Sequence, residues 1–275
     1  MSHLAIDLDR YRVPEGGITL SAIDPADTQG FRESDEVKER FQENRERLGE
    51  LQEMMFAEGR QALLLVLQAM DTGGKDGTIR HVTEGINPQG CRVVPFKVPC
   101  IHELAHDFLW RVHAQLPAKG TITIFNRSHY EDVLVVRVHQ LAPTELVEKR
   151  YGHIADFERL VADHGTRIVK VMLHISKEFQ AERLRLRVEK PNKQWKFNPA
   201  DLEERKLWDA YMEAYELAVS RTSRPWAPWY VVPAENRWWR NLVVSELLRH
   251  ELEDMDPRYP PPKFDPTTFA ADSIV

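Results

Sequence analysis

The stretch that decides the fold is Leu63–Leu67, LLLVL, followed almost at once by Ala69–Thr78, AMDTGGKDGT. Five consecutive aliphatic residues are typical of a strand that is buried on both faces, as in a parallel sheet covered by helices. The glycines behind this strand predict a tight turn, and a helix is expected from about Thr78. A buried strand that turns directly into a helix indicates the start of a βαβ unit.

The rest of the chain repeats this alternation. Four further apolar segments predict strands, namely Cys91–Val98, Thr121–Phe125, Arg167–Ile175 and Trp229–Val232. The segments around them predict helices, namely Ser34–Glu58, Ile101–Leu116, Glu131–Leu141, Ile154–Asp163, a basic helix from Ser176, a long helix from an N-cap at Asp201 to about Ser220, and Asn236–Leu252. Together they predict a three-layer α/β fold, with a central parallel five-stranded sheet and helices on both faces.

The predicted sheet lies within one domain over residues 33–256. An extended arm (1–32) precedes it, and a proline-rich tail (257–275) follows it. Ligands of open parallel sheets bind beyond the carboxyl ends of the strands. The loops after Leu67, Val98, Phe125 and Ile175 are therefore the candidate sites.

Composition excludes several classes of protein. The 275 residues carry a formal net charge of −6, so no global basic field would attract nucleic acid. Two cysteines, no signal-peptide pattern and no apolar run of membrane length predict a cytoplasmic protein without a membrane partner. Residues 177–196 nevertheless hold seven basic residues against three acidic ones. A local basic segment on an acidic protein indicates a defined anionic ligand.

The glycine-rich turn resembles the phosphate-loop pattern G-x-x-x-x-G-K-[ST]. Gly74-Lys75 is intact, whereas Ala69 replaces the first glycine and Asp76 replaces the final Ser or Thr. Backbone N–H groups and a helix N-terminus would bind phosphate oxygens there, and Lys75 would reach the transferred group. The alternative is a glycine-rich turn with an incidental lysine. Asp71 and Asp76 would repel a phosphate unless a hard cation lay between them, which predicts Mg²⁺.

Two other segments carry polar groups at predicted strand ends. Asn126 and Arg127 follow the third strand, and Glu131 with Asp132 could supply the metal-side charge that the neutral Asn126 lacks. Arg137 would also face an anion. After the fourth strand, Arg183 and Arg187 share a helix face and precede a polar loop with Trp195, as in a lid over residues 177–205 that closes on phosphates. The alternatives are a solvated turn and a solvated charged helix.

His102, Glu103 and His106 match the zinc-protease pattern H-E-x-x-H, which makes a zinc metalloprotease a formal alternative. The extended pattern fails, because Leu109 and Val112 stand where a glycine and a third histidine are required. Glu131 as a third ligand would be arbitrary. The apolar residues of the segment already explain a helix that packs on the core.

Several motifs, in this order along the chain, resemble the polyphosphate kinase 2 family. They are Ala69–Thr78, Trp110-Arg111, Phe125–Tyr130 (FNRSHY), Ser176–Arg187, Lys193–Phe197 (KQWKF) and Ala227–Trp229 (APW), followed by Asn236 and Arg240. The similarity extends from about Ser34 to Leu252. GGKDG and NRS, in place of the commoner AGKGG and DRS, resemble the class that accepts nucleoside mono- and diphosphates.

The resemblance implies a phosphate-loop kinase fold with a helical lid and direct phosphoryl transfer between inorganic polyphosphate and AMP, ADP or other nucleoside mono- and diphosphates. It implies Mg²⁺, with Mn²⁺ as an alternative ion, held by Asp71 and Glu131. Asp71, Lys75 and Arg127 would be catalytic. The implied phosphate- and nucleotide-binding residues are Gly73, Gly74, Lys75, Asp76, Gly77, Thr78, Arg111, Asn126, Arg127, Arg183 and Arg187. A homo-oligomer, dimer or tetramer, is expected. The other hypotheses are an ATP-dependent nucleoside or nucleotide kinase and a non-catalytic anion-binding module.

Overall fold

A computed structural model describes residues 5–265 and 268. Five strands form one parallel sheet in the order β2-β3-β1-β4-β5. They are β1 (Ala62–Gln68), β2 (Cys91–Pro95), β3 (Ile122–Asn126), β4 (Thr166–His174) and β5 (Trp229–Pro233). All seven residues of β1 are buried, as expected for a central strand between helical layers. The predicted five-stranded parallel sheet is confirmed.

The helices pack on this sheet in two groups. In the first, α1 and α2 contact α10, which lies on β4 and β5; in the second, α5 and α6 contact α9, and α6 also lies on β4. The helices are α1 (Asp35–Glu58), α2 (Lys75–Val82), α3 (Ile101–Leu104), α4 (Trp110–His113), α5 (Val135–Val138), α6 (Thr144–Asp163), α7 (Lys177–Glu189), α8 (Ala200–Lys206), α9 (Trp208–Thr222) and α10 (Arg237–Met255). None of the helices within residues 5–265 is long and apolar enough to cross a membrane.

The sheet register brings three candidate loops to one edge. Leu67 of β1 lies beside Asn126 of β3 and Val171 of β4, so the segments that leave these strands emerge together. The α7 helix begins just beyond β4, where the Ser176 hydroxyl accepts a hydrogen bond from the Phe179 N–H at 3.1 Å. The phosphate loop, the Arg127 turn and the basic helix therefore share one side of the molecule.

Two predicted helices are wrong over most of their length. Residues 101–116 form the single turns α3 and α4, because the chain turns between them, where the Asp107 carboxylate accepts a hydrogen bond from the Leu109 N–H at 3.0 Å. Ile101 is consequently 89% exposed and does not pack on the core. Residues 131–141 contain the end of a 3₁₀ turn (His129–Asp132) and the short α5, since the Ser128 hydroxyl caps the Tyr130 N–H at 3.1 Å.

Two further helix boundaries differ from expectation. The α6 helix begins at Thr144, ten residues before the predicted start at Ile154. The predicted helix from Asp201 is divided at Leu207 into α8 and α9, and Asp201 lies in the first turn of α8 instead of capping it. Its carboxylate pairs with Arg187 at 3.0 Å. The Asp201 side chain thus forms an ion pair with another helix instead of the N-cap that the sequence predicts.

The amino-terminal arm is part of the core. Tyr11, Val13 and Leu20 are buried, and the Val13 N–H donates to the Trp229 carbonyl at 2.8 Å along the edge of β5. The Tyr11 hydroxyl accepts a hydrogen bond from the Trp239 indole at 3.0 Å. Of the predicted tail, residues 257–265 and 268 are described, and the remainder lies outside the described residues.

A buried ion pair joins the sheet to α6. The Lys170 Nζ in β4 lies 2.5 Å from Glu158 Oε2 and also donates to the Tyr130 hydroxyl and the Thr222 carbonyl. Both charged side chains are at most 1% exposed. Burial lowers the pKa of Lys170 to about 8 despite the nearby Glu158 carboxylate. The pair therefore costs solvation energy that its contacts offset only while both partners are present.

We expect Lys170→Met to lower the free energy of unfolding by about 3–5 kcal/mol, because it leaves the Glu158 carboxylate buried without a counterion. The double variant Lys170→Met/Glu158→Gln should recover most of this loss. Urea unfolding of the wild type, both single variants and the double variant measures the coupling. A double variant that is no more stable than Lys170→Met alone would contradict this assignment.

Candidate active site

The loop between β1 and α2 has the shape of a phosphate cradle. Thr72 and Gly74 adopt left-handed conformations, with φ of 68° and 98°. A Cβ at Gly74 would collide with the guanidinium of Arg240, and one at Gly73 would lie 2.7 Å from the Ala69 Cβ. Close approach of the chain therefore requires the glycine at 73, and the left-handed backbone favours the glycine at 74. The α2 helix begins directly after them at Lys75. The helix N-terminus faces the region where an anion would bind.

Lys75 lies at the entrance to α2. Its Nζ donates to the Ala69 carbonyl at 2.8 Å, which holds the ammonium across the loop. Burial lowers the pKa of Lys75 to about 8, and the nearby Arg127 acts in the same direction against Asp71, Glu131 and Asp76. An anion arriving beside Lys75 would stabilise its charged form.

Arg127 is held between two carboxylates. Its Nη2 lies 2.7 Å from Asp71 Oδ1, and its Nη1 lies 3.2 Å from Glu131 Oε2. Arg127 has a φ of 61°, which turns the chain sharply at the end of β3. Glu131 also accepts a hydrogen bond from Gln68 at 3.0 Å. The two carboxylates fix the direction of the guanidinium.

Asn126 contacts the phosphate loop directly. Its Nδ2 donates to Asp76 Oδ1 at 2.8 Å. The neutral side chain at the end of β3 and the acidic side chain after Lys75 are thus hydrogen-bonded partners. This contact orients the Asp76 carboxylate beside the loop.

One cleft of about 690 Å³ is lined by Asp71, Gly74, Lys75, Asp76, Asn126 and Arg127. The basic helix and loop cover it from the other side. The carboxylates on its wall are those of Asp71 and Asp76. The lysine and arginine side chains on its wall number nine: Lys75, Lys97, Arg127, Arg183, Arg187, Lys193, Lys196, Arg237 and Arg240. On a protein of net charge −6, such a concentration of positive charge creates a site for a polyanion.

The basic helix and the loop behind it form the roof of the cleft. Arg187 pairs with Asp201 at 3.0 Å and donates to the Lys196 carbonyl, which ties α7 to the loop and to α8. Arg183 lines the cleft without an ion-pair partner among the described residues. Burial, with Arg237 and Arg187 nearby, lowers its pKa. Trp195 in the same loop is 78% exposed.

Most of the predicted site residues meet in this cleft. Nine line it, namely Asp71, Gly74, Lys75, Asp76, Gly77, Asn126, Arg127, Arg183 and Arg187, whereas Gly73, Thr78, Arg111 and Glu131 do not. Arg111 instead donates to the Lys97 carbonyl at 3.0 Å and lies over the Phe96 ring. It supports the loop after β2 from behind. Arg137, also expected to face an anion, pairs with Glu148 at 2.7 Å.

Sequence reasoning missed the contribution of α10. Arg237 and Arg240 line the cleft, as do His81, Phe96 and Lys97. Arg240 was noted in the sequence only as part of a resemblance. A signal was available, because the fifth strand ends at the same edge as the others and α10 begins four residues later.

The H-E-x-x-H segment does not form a metal centre. The helix ends at Leu104, and the His106 ring stacks on Trp110 with centroids 4.2 Å apart. Glu103 accepts a hydrogen bond from the Cys100 N–H at 2.7 Å. Within residues 5–265 and 268, no three His, Cys, Asp or Glu side chains are grouped to bind a metal. The zinc metalloprotease hypothesis has no structural support.

Comparison with known proteins decides the family. The family model for polyphosphate kinase 2 matches residues 32–260. The chain belongs to the polyphosphate kinase 2 family. It is 53% identical over 258 residues to the AMP/ADP-polyphosphate phosphotransferase of Meiothermus ruber, covering 93% of this chain and 97% of that protein. It is 45% identical to the ADP-polyphosphate phosphotransferase of Rhodopseudomonas palustris, with 94% and 93% covered.

The fold of this family member agrees with solved relatives. The crystal structure of polyphosphate kinase 2 from Arthrobacter aurescens superimposes with a TM-score of 0.92 at 43% sequence identity, covering 96% of both chains. The family resemblance and the fold class predicted from sequence are therefore confirmed.

The lowered pKa of Lys75 predicts how polyanion affinity depends on pH. Above about pH 8 the unliganded ammonium loses its proton, so affinity for inorganic tripolyphosphate should fall by up to tenfold per pH unit as pH rises. Lys75→Arg keeps its charge over this range and should lack the decrease.

Calorimetric titration without metal ions between pH 7 and 9.5 measures both proteins. Ionisation of the tripolyphosphate itself affects both proteins equally, so it does not change the ratio of their dissociation constants. A ratio that stays constant with pH would contradict the assignment of Lys75 to the anion site.

Proposed function

We propose that this polyphosphate kinase 2 family member transfers a phosphoryl group directly between inorganic polyphosphate and AMP or ADP, yielding ADP or ATP. The observation that supports this most is the cleft in which nine lysine and arginine side chains face two carboxylates beside a phosphate loop. Two phosphate polyanions brought together there need this excess of positive charge. The Meiothermus relative, similar over nearly its whole length, carries this activity in its name.

The chemistry requires positioning and neutralisation of charge more than a strong base. A terminal oxygen of the acceptor nucleotide, already anionic, attacks the end phosphorus of the polyphosphate chain in line. The P–O bond to the next phosphate breaks, and its electron pair leaves on the shortened chain. Lys75 and the backbone of Gly74–Gly77 hold the transferred group, and Arg127 binds a neighbouring phosphate oxygen.

The cleft also fits a divalent metal ion. Mg²⁺ typically binds through one or two carboxylates together with substrate phosphates and water. Asp71 and Asp76 both line the cleft, and Asp71 would be the principal ligand. Bound Mg²⁺, or Mn²⁺ in its place, neutralises phosphate charge. Glu131, expected from the sequence as a second ligand, instead lies behind Arg127 and would position that guanidinium.

The basic helix and its loop would act as the lid. Arg183 and Arg187 reach the cleft from α7, and Trp195 with Lys193 and Lys196 lies on the following loop. Closing this side over the phosphates would exclude water, which otherwise competes as an acceptor.

The decisive assay supplies AMP or ADP with Mg²⁺ and polyphosphate as the sole phosphoryl donor. Formation of ADP or ATP, matched by shortening of the polyphosphate, is the expected result. If the enzyme is an ATP-dependent kinase, a nucleotide product appears only when ATP replaces polyphosphate. An anion-binding module would bind both ligands without turnover.

Lys75→Ala and Asp71→Asn should each lower the rate of transfer by about 10²–10³ while leaving the fold intact. Lys75→Ala removes a positive charge that would contact the transferred phosphate, and Asp71→Asn removes the carboxylate that would hold the metal ion. Steady-state kinetics and circular dichroism measure the two effects.

Matched controls are Lys119→Ala and Asp156→Asn, at exposed positions outside the cleft lining. The controls should retain wild-type rates. Full activity in either cleft variant would refute the role given to that residue.

A further inference from the structure

Arg240 in α10 is a buried cation without a carboxylate partner. Its residue is 5% exposed, and its guanidinium contacts the Asn241 side-chain oxygen at 3.2–3.3 Å. Within the described chain no Asp or Glu forms an ion pair with it, in contrast to Arg127 and Arg187 in the same cleft. The other charged groups that influence it are Arg237 and Arg183, so its surroundings are positive.

This arrangement is unfavourable for the unliganded protein. Burial and the two neighbouring arginines lower the pKa of Arg240 to about 10. A buried charge usually persists only with a partner, since its desolvation is otherwise uncompensated. Because the described residues supply no counterion and Arg240 lines an open cleft, the missing counterion is one that enters the cleft.

The location of Arg240 specifies where that anion binds. The guanidinium occupies the space that a side chain at Gly74 would fill, and its Nη2 is 3.4 Å from the position of a Cβ at Gly77. Arg240 thus lies against the phosphate loop at the start of α2. Arg183 on α7 and Arg237 at the start of α10 also line the cleft, and they are the charged groups that act on Arg240.

We propose that Arg240 is a phosphate-binding residue, whose guanidinium forms charged hydrogen bonds to polyphosphate beside the phosphate loop, with Arg183 and Arg237 binding the phosphates further along the chain. This rests on the proposed function and adds a residue to its site. A linear polyanion with a charge on every phosphate matches three neighbouring arginines without ion-pair partners in the part of the chain that the structure describes better than a nucleotide does, since a nucleotide has phosphates at one end only.

Arg240→Met distinguishes a binding role from a structural role, because it should weaken polyphosphate binding without lowering the unfolding temperature. Without ligand, the variant should unfold at the same temperature as the wild type or higher, since a buried unpaired charge has been removed. Its KM for polyphosphate should rise about 10- to 100-fold, the loss expected for a charged hydrogen bond, while its KM for ADP stays unchanged. Arg240→Lys should recover part of the loss.

Arg249→Met is the matched control. Arg249 lies nine residues further along α10 and pairs with Glu253 at 3.0 Å outside the cleft. The control should keep the wild-type KM for polyphosphate. An equal loss in the control would show a general effect of net charge and overturn the proposal.

Thermal shifts with linear polyphosphate make the test independent of turnover. Wild type and Arg249→Met should be stabilised by polyphosphate, and Arg240→Met much less. If the wild type forms neither ADP nor ATP from polyphosphate, the proposed function is wrong. The thermal-shift test still decides whether Arg240 binds polyphosphate. The proposal is overturned if Arg240→Met melts several degrees lower without ligand, if its polyphosphate shift is normal, or if only its KM for ADP rises.

Discussion

Mutual repulsion among nine cationic side chains is the constraint on which the arrangement of the cleft depends. Like charges that line one cleft destabilise the unliganded state unless the fold holds them in rigid positions and supplies counterions to some of them. Arg127 has two carboxylate partners, and Arg187 has one. Arg183, Arg237 and Arg240 have none among the described residues. The cleft is therefore divided into a paired side near Asp71 and an unpaired side that depends on the ligand.

The paired side is connected to the basic helix through hydrogen bonds of Gln180. Gln180 of α7 donates to the Asp71 carbonyl at 3.1 Å, and Arg205 of α8 donates to the Gln180 side chain at 3.1 Å. A shift of α7 toward the cleft would therefore act on the backbone of Asp71, the residue that we propose as the metal ligand. This gives a physical route by which closure of the lid and the geometry of Asp71 can be coupled.

Sequence predicted what local patterns encode, and it missed what tertiary partners decide. The β1 strand and the phosphate loop can be predicted from the sequence, because an apolar run and two glycines determine their conformation locally. Arg240 has no local pattern of this kind, because a buried arginine on a helix looks like any charged surface residue until Gly74 is placed beside it. Only the position of α10 after the fifth strand and the family resemblance point to it. The predicted helix over residues 101–116 is wrong for a local reason, since the apolar spacing outweighed the tendency of Asp107 to accept a hydrogen bond from the Leu109 N–H and form a turn. Arg111 donates to the Lys97 carbonyl and Glu131 pairs with Arg127, and these tertiary contacts have no pattern in the sequence.

The two departures from the phosphate-loop pattern are explained by their partners. In phosphate-loop enzymes, a neutral Ser or Thr after the lysine and an acidic residue after a later strand hold the metal. Here the acidic residue follows Lys75 and the neutral one, Asn126, ends β3, and the two side chains are hydrogen-bonded at 2.8 Å. The exchange keeps one carboxylate at this junction, although its position in the sequence has moved. Ala69 fits equally well, because its carbonyl accepts from Lys75 and its Cβ lies where Gly73 leaves room.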